Sequence, residues 1–366
     1  MTLLTVNSGS TSVKLALYEA TPGAEPRLID TEQRTGSPLD ASAVLRSLEP
    51  KLMPAPQVIA HRIVHGGTRF VRPTPIDSAV LTAIEQLAPL APLHNPVALR
   101  WVAAARELWG AQLPQVAVFD TAWFANLPRV AAEYALPPTL GYERGVRRYG
   151  FHGLAHESMW HRWCALHPQL PQGGRLITVQ LGGGCSIAAI DRGRPLDTSM
   201  GFSPLEGLVM ATRSGDLDAA VVPYLERELG SSGDAIVEQL NEQSGLKGLA
   251  GSDANPAALL ADSSPRAQFA VELYCYRIRK YVGAYLAVLE GCDGIVFGGG
   301  VGEHVPGVRV RALSGLAWAG VELDSVLNDA ARGGAARISA PTARITVRVI
   351  VPDEELVLAR AAAALV

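Results

Sequence analysis

The sequence predicts an α/β fold built as two similar domains, and three observations predict it. A strand–turn–strand pattern occurs twice. Residues 3–6 lead through Asn7-Ser8-Gly9-Ser10-Thr11-Ser12 into 13–17, and residues 176–179 lead through Gln180-Leu181-Gly182-Gly183-Gly184-Cys185-Ser186 into 187–190. Strand-length apolar runs alternate with helical patterns in both halves, as they do in α/β proteins. The chain has 366 residues, more than one hydrophobic core usually supports. Small residues let backbone N–H groups and hydroxyls close on an anion, so each turn is a candidate phosphate cradle. One Gly/Ser hairpin is commonplace. Two at corresponding places suggest domains facing one another across a nucleotide or phosphoryl group.

The elements follow in order. After the first hairpin, residues 20–55 are rich in Pro, Gly and Ala and read as a surface connection with one short helix. Residues 58–60 read as a buried strand that delivers His61-Arg62-Ile63-Val64-His65-Gly66-Gly67. A helix is expected over about 77–89 and, after Pro92-Leu93-His94-Asn95-Pro96, another over about 96–109. The strand 116–119 ends at Asp120, and a charged segment at 143–150 precedes Phe151-His152-Gly153 and a helix reaching His161. The second hairpin is followed by a motif at 197–207 and by Thr212-Arg213-Ser214-Gly215. A long helix over about 265–290 leads into the strand 294–297 and a glycine-rich loop at 298–303. A strand at 345–351 and a helix from about 353 close the chain. The expected division is 1–124 with 356–366 for one domain and 125–355 for the other.

Composition narrows the function. A formal net charge of −3 argues against a nucleic-acid-binding surface. No apolar run reaches the length of a membrane span, and the chain enters a strand at once, so no signal peptide is expected. Cys164, Cys185, Cys275 and Cys292 are scattered without a CxxC pair, which fits reduced thiols in the cytoplasm better than a disulfide or zinc framework.

Asn7, Arg62, Asp120 and Gln180 each sit at the end of an apolar strand, where open α/β sheets bind ligands, and four such residues suggest a shared cleft. Arg62 and Arg213 stand among small or turn residues. Two guanidinium forks suit a phosphoryl group, although most arginines serve surface ion pairs. His152, between Phe151 and Gly153, is placed to stabilise a developing anion, or else to cap a helix or pack in the core. Asp120 could orient a nucleophile, take a proton or pair with an arginine. Glu354 and Glu355 open the last helix, where acids suit the dipole and could also hold Mg²⁺ through water. The glycine-rich segment 298–303 would let a nucleotide approach the backbone. There is no GxxxxGK[ST] and no HExxH; His156 and His161 are five residues apart and fall on diverging helix faces.

Together, in this order, the segments at 6–14, 61–67, 91–96, 118–122, 147–153, 197–201, 212–215 and 299–303 resemble the acetate kinases of the acetokinase family, within the superfamily of sugar kinases, Hsp70 and actin. The resemblance covers nearly the whole chain. It implies two duplicated RNase H-like (actin/Hsp70-like) domains with a cleft between them, a cytoplasmic homodimer, and reversible Mg²⁺-dependent transfer of phosphate from ATP to acetate. It implies that Arg62 binds the carboxylate or phosphoryl group, that Asp120 is the catalytic acid, and that His152 and Arg213 stabilise the transition state. Asn7 and Glu354 would support the metal, with Glu355 the alternative. Lys14 would lie near the nucleotide phosphates. Val64, Leu93, Phe151 and Pro204 would form a methyl pocket. The nucleotide would meet Gln180, Leu181, Gly182, Gly183 and Gly184, then Asp253, Ala254 and Asn255, and also Gly299, Gly300, Val301, Gly302 and Glu303.

The donor side departs from the family pattern. Where the family reads His-Leu-Gly-Asn-Gly, this chain has Gln180-Leu181-Gly182-Gly183-Gly184, and where it reads Ser-Asp-Met-Arg, this chain has Ser252-Asp253-Ala254-Asn255. Gln180 can donate a hydrogen bond but carries no charge. Three other readings stay open: a kinase acting on propionate or butyrate, or using pyrophosphate; a catalytically weak nucleotide-binding regulator; and, more distantly, a metal-dependent hydrolase built on His152, His156 and His161.

Overall fold

Central strands buried along nearly their whole length build the first of two sheets in the computed structural model, which describes residues 1–9, 12–36, 39–51, 54–92, 94–251 and 254–365. The chain divides into two compact units: Met1–Ala125, Phe151–Ser158 and Asp353–Val366 form the first, and Asn126–Gly150 with Met159–Pro352 the second.

The first unit holds β1 (Thr2–Ser8), β2 (Ser12–Glu19), β3 (Arg27–Thr35), β4 (Val58–Ile63), β5 (Thr74–Pro75) and β6 (Gln115–Phe119), in the order β3-β2-β1-β4-β6-β5. β1, β4 and β6 run parallel, while β1–β2, β2–β3 and β5–β6 are antiparallel. Side chains alternate between faces along a strand. Leu4, Val6, Leu15, Leu17 and Ile59 accordingly pack with the helices Ala41–Leu48 and Asn95–Trp109. Leu3, Ala16, Tyr18, Val58, Ala60, Val116 and Val118 meet the last helix, Glu354–Ala363, through Val357, Leu358, Ala359 and Ala362. That helix therefore covers one sheet face, and its first turn delivers Glu354 and Glu355.

The second unit holds β7 (Arg175–Leu181), β8 (Cys185–Asp191), β9 (Arg194–Thr198), β10 (Gly294–Gly298) and β11 (Thr346–Val349), in the order β11-β10-β7-β8-β9. β7–β8 and β8–β9 are antiparallel, and β7–β10 and β10–β11 are parallel. The first sheet repeats this order as β3-β2-β1-β4-β6, which is the duplication foreseen from the two hairpins. The long helix is Pro265–Val288; it buries Ala267, Ala270, Val271, Tyr274, Cys275, Ile278, Val282, Tyr285 and Leu286, the stripe expected at a 3.6-residue period.

Two expectations are corrected. Residues 20–55 contain a nine-residue strand, β3, as well as the helix. β3 pairs with β2 alone and is exposed along nearly its whole length, so its sequence shows no apolar alternation. The glycine-rich stretch at 298–303 is not a loop: β10 ends at Gly298, and Gly299–His304 is a short helix. Among the described residues no helix is long and apolar enough to cross a membrane.

Candidate active site

In the first unit, three adjacent parallel strands bring polar side chains to one end of the sheet. Asn7 comes from β1, Arg62 from β4, and Asp120 follows β6 directly. Arg62 Nε and Nη2 both donate to Asp120 Oδ2, at 3.0 and 2.6 Å, and Nη1 donates to Asn7 Oδ1 at 3.2 Å. Asn7 Nδ2 in turn donates to Glu354 Oε2 at 2.8 Å and Glu355 Oε1 at 2.9 Å. Lys14, opposite Asn7 on β2, pairs with Glu355 Oε2 at 2.6 Å. Both first-turn glutamates thus reach the cluster.

The electrostatics follow from burial and crowding. The Asp120 side chain is only 1% exposed, and Oδ1, the oxygen that Arg62 leaves alone, is buried with no hydrogen-bond partner among the described residues. Burial opposes the charge on Arg62, but Asp120, Glu354 and Glu355 outweigh it and hold the guanidinium above the usual arginine range. Burial pushes the Glu354 carboxyl above its ordinary value; Arg62 pulls it back, while Asp120 and Glu355 add to the rise. Three carboxylates face two cationic side chains here, leaving the cluster one charge negative.

His152 lies beside this cluster. It adopts a left-handed backbone, φ 56°, which is costly for a residue with a side chain and is tolerated where the surroundings enforce it. A Cβ at Gly153 would sit 1.9 Å from the Asp120 carbonyl oxygen, so only glycine lets this turn close against Asp120. Val64 and Phe151 are buried, and the Phe151 ring meets His65 edge-on with centroids 5.6 Å apart. Asn95, in the sequence only part of a motif, braces the neighbouring turn. Its Oδ1 accepts from His65 N at 3.1 Å and its Nδ2 donates to His65 O at 3.0 Å, while Thr121 Oγ1 accepts from Gly66 N at 2.9 Å. These clamps shape the turn after Val64, and their partners lie too far apart in sequence to signal it. Leu93 lies outside the described residues.

In the second unit, Gln180 takes on β7 the place that Asn7 takes on β1. Of the four strand-end residues, three therefore belong to the first sheet and Gln180 to the second. Gln180 Oε1 is buried without a partner among the described residues. The turn after Leu181 closes with Gly182 N donating to Gly184 O at 3.0 Å, and Gly183 O accepts from Ala211 N at 3.1 Å. A Cβ at Gly183 would meet nothing within 4 Å, nor would one at Gly300. Gly299, by contrast, has φ +76°, and its Cβ would lie 2.5 Å from the Leu181 carbonyl. Two glycine-rich segments thus adjoin, with Gly183 open in one and Gly300 in the other. Val301 follows within the short helix, and Gly302 and Glu303 are buried. Burial raises the Glu303 carboxyl.

Arg213 adjoins this region through Ala211. Its Nη1 donates to Pro204 O at 3.3 Å, and it has no carboxylate partner among the described residues. Burial lowers its pKa, with Cys185 a smaller opposing influence. Neighbouring acids are engaged elsewhere: Glu206 accepts from Arg148 Nη2 at 2.5 Å and from the Tyr134 hydroxyl, and Asp216 accepts from Gly207 N at 2.9 Å and from Tyr281. A desolvated guanidinium without a counter-ion is a receptor for an anion. Ala254 and Asn255 precede the helix Pro256–Ala261, and Asn255 Oδ1 caps it by accepting from Ala257 N at 3.0 Å. Asp253 lies outside the described residues. His156 is buried against the Phe124 ring, and among the described residues no three His, Cys, Asp or Glu stand together as metal ligands, so the hydrolase reading gains no support.

The acetokinase family model matches residues 41–360. The chain belongs to the acetokinase family. It is 44% identical over 306 residues to an acetate kinase of Solibacter usitatus, covering 82% of this chain and 74% of the relative. To an acetate kinase of Streptomyces griseus it is 40% identical, covering 100% and 96%. The structure resembles that of Porphyromonas gingivalis acetate kinase with a TM-score of 0.87 at 35% identity over 99% of both chains. It resembles a propionate kinase from Francisella tularensis with a TM-score of 0.88 at 32% identity over 100% of both. The two sheets with repeated strand order are the duplicated actin/Hsp70-like fold.

Proposed function

We propose that this protein reversibly transfers the terminal phosphoryl group of ATP to acetate, giving acetyl phosphate and ADP. An acetate oxygen attacks the γ-phosphorus as the bond from that phosphorus to its bridging oxygen breaks and ADP leaves. Such a transfer needs positioning and charge neutralisation more than covalent catalysis. The observation that carries the reading is the Asn7–Arg62–Asp120–Glu354 cluster, in which three adjacent strands and the first turn of the last helix converge around a buried Asp120. In this reading Arg62 binds the carboxylate or the phosphoryl group, and Asp120 is the catalytic acid. Arg213 and His152 stabilise charge on the transferring group. Val64, Leu93, Phe151 and Pro204 enclose the methyl group, and Lys14 serves the phosphates. Residues 180–184, 253–255 and 299–303 hold the nucleotide.

The first-unit cluster fits Mg²⁺ by its chemistry. It is formally one charge negative, burial with Asp120 and Glu355 raises the Glu354 carboxyl, and an added cation would relieve both. Magnesium keeps most of its waters and takes one or two carboxylates, so a ready-made three-ligand cage is not required. Asn7 and Glu354, with Glu355 as the alternative, would support it. Bound with ATP, the ion would neutralise charge on the phosphates. The same reading makes the protein a cytoplasmic homodimer acting on small molecules, not on nucleic acid or membranes.

One observation favours a second reading: the Francisella relative is named a propionate kinase. The test is a coupled assay with acetate, propionate and butyrate against ATP, other nucleoside triphosphates and pyrophosphate. One methylene in a snug pocket is worth roughly 1–3 kcal/mol, so kcat/KM should fall from acetate through propionate to butyrate. Values that rise with chain length would replace acetate with a longer acid, and no turnover with any pair would leave a nucleotide-binding regulator.

A further inference from the structure

The second unit buries a guanidinium that the proposed chemistry does not use. Arg309, on the helix Pro306–Leu313, is fully buried, and no carboxylate lies within ion-pair distance of it among the described residues. All of its bonds go to neutral oxygens. Nε donates to Asn328 Oδ1 at 2.9 Å, Nη1 to Gly302 O at 2.8 Å and Glu303 O at 2.9 Å, and Nη2 to Asn328 O at 2.7 Å and Ala331 O at 3.2 Å. A guanidinium has five N–H donors, and here all five are used. Burial, with Arg332 adding to it and Asp329 opposing, pushes its pKa down to about 10, so the five hydrogen bonds hold a charge that its surroundings disfavour.

What this charge grips explains its place. Gly302 and Glu303 are near the carboxyl end of the helix Gly299–His304, where carbonyls lack intrahelical partners and the peptide dipoles are negative. Asn328 and Ala331 lie at the end of the helix Ser325–Ala330. Arg309 therefore joins two helix ends in one fork. The other end of the glycine-rich helix is fixed by close packing, since a Cβ at Gly299 would strike Leu181 O. Gly300, between these two grips, opens onto free space. Three glycines among six residues make a poor helix on their own.

We propose that Arg309 is a positioning residue for the nucleotide: it holds the Gly299–His304 segment in the conformation that presents Gly300 and Val301 to the phosphoryl donor. This rests on the reading that the donor lies along that segment. A lysine at 309 would keep the charge but supply only three donors, and a methionine would keep the packing and supply none.

The test uses the full chain with R309K, R309M and N328A. KM for ATP and KM for acetate are measured separately, together with the rise in Tm on adding ATP. R309M should raise KM for ATP by about 10-fold or more while KM for acetate stays within about 2-fold of the wild type. R309K should recover part of the loss, and N328A should move in the same direction as R309M. The ATP-induced Tm rise should shrink in the order of the KM changes. A general structural role would instead degrade both substrates together. Should R309M fail to fold, R309K and N328A decide: unchanged KM for ATP in both overturns the inference. A wild type that phosphorylates acetate from ATP, beside folded variants with unchanged KM for ATP, overturns this inference alone. A wild type that neither turns over nor gains Tm with ATP overturns the functional reading and this inference with it.

Discussion

Arg62 and Arg213 differ in what removing them exposes. Arg62 and Asp120 form a pair with side chains 14% and 1% exposed, whereas Arg213 has no carboxylate partner among the described residues. Both R62A and R213A should lower kcat/KM by about 10²-fold or more, because each removes charge stabilisation from a desolvated site. Their stabilities should diverge. R62A leaves a carboxylate buried alone and should cost about 3–5 kcal/mol, and R213A should cost far less. Kinetics run beside urea unfolding check both statements; near-wild-type activity in both variants would sink the proposed site. At this scale the sequence was informative about residue type and place. Asn7, Arg62 and Asp120 were legible because a polar residue ending an apolar strand is a local signal. That Arg62 takes one oxygen of Asp120 and leaves the other bare was not legible, since it depends on the angle between neighbouring strands.

Elements set which glycines are tolerant. G153A would force a Cβ to within 1.9 Å of the Asp120 carbonyl oxygen and should destabilise the protein by about 1–3 kcal/mol or more while disturbing His152. G183A meets nothing within 4 Å, so its Tm should match the wild type while KM for ATP rises. If G183A lowers Tm as much as G153A does, the open face at Gly183 is not what the geometry implies. Three histidines of the first unit set its acid limit. Burial pushes His61 and His65 down to about 4 and His156 to about 3, against 6.5 for an unperturbed imidazole. They stay neutral in the folded state, while the unfolded chain takes up protons below pH 6.5. Stability from these groups is therefore complete above about pH 6.5 and is lost as pH falls toward 4, by up to about 1.4 kcal/mol per pH unit for each group. A Tm-against-pH series should show the fall, and H156Q should flatten it by roughly one proton; equal slopes in the two proteins would refute the assignment. β3 and the Gly299–His304 helix escaped the sequence for opposite reasons. β3 is an edge strand wet on both faces, and the helix is glycine-rich and completed by Arg309 from the next helix.

For the whole molecule, the prediction concerns the balance between the two substrates. In the proposed reading the acid-binding residues keep the family pattern, while Gln180, Gly183 and Asn255 stand on the donor side. Gln180 cannot supply a charged hydrogen bond, which is typically worth about 1.5–3 kcal/mol, and Asn255 spends its side-chain oxygen on capping a helix. A raised KM for ATP and measurable use of other nucleoside triphosphates are expected, with acetate kinetics unaffected. The double change Q180H/G183N should improve use of ATP more than use of acetate. Tight, adenine-selective kinetics in the unmodified protein would mean that other contacts compensate.

By itself the sequence determined the α/β class, the duplicated hairpins and the polar residues waiting at the strand ends. Each of these is written in a window of a few residues, through side-chain period, turn chemistry or a change from apolar to polar. Only the tertiary structure decided that Glu354 and Glu355 both close on Asn7, 347 and 348 residues away. It alone decided that Asn95 and Thr121 shape the turn after Val64, and that Arg309 completes a glycine helix it does not belong to. Such contacts join segments brought together by packing, and packing between distant segments leaves no periodicity in either of them.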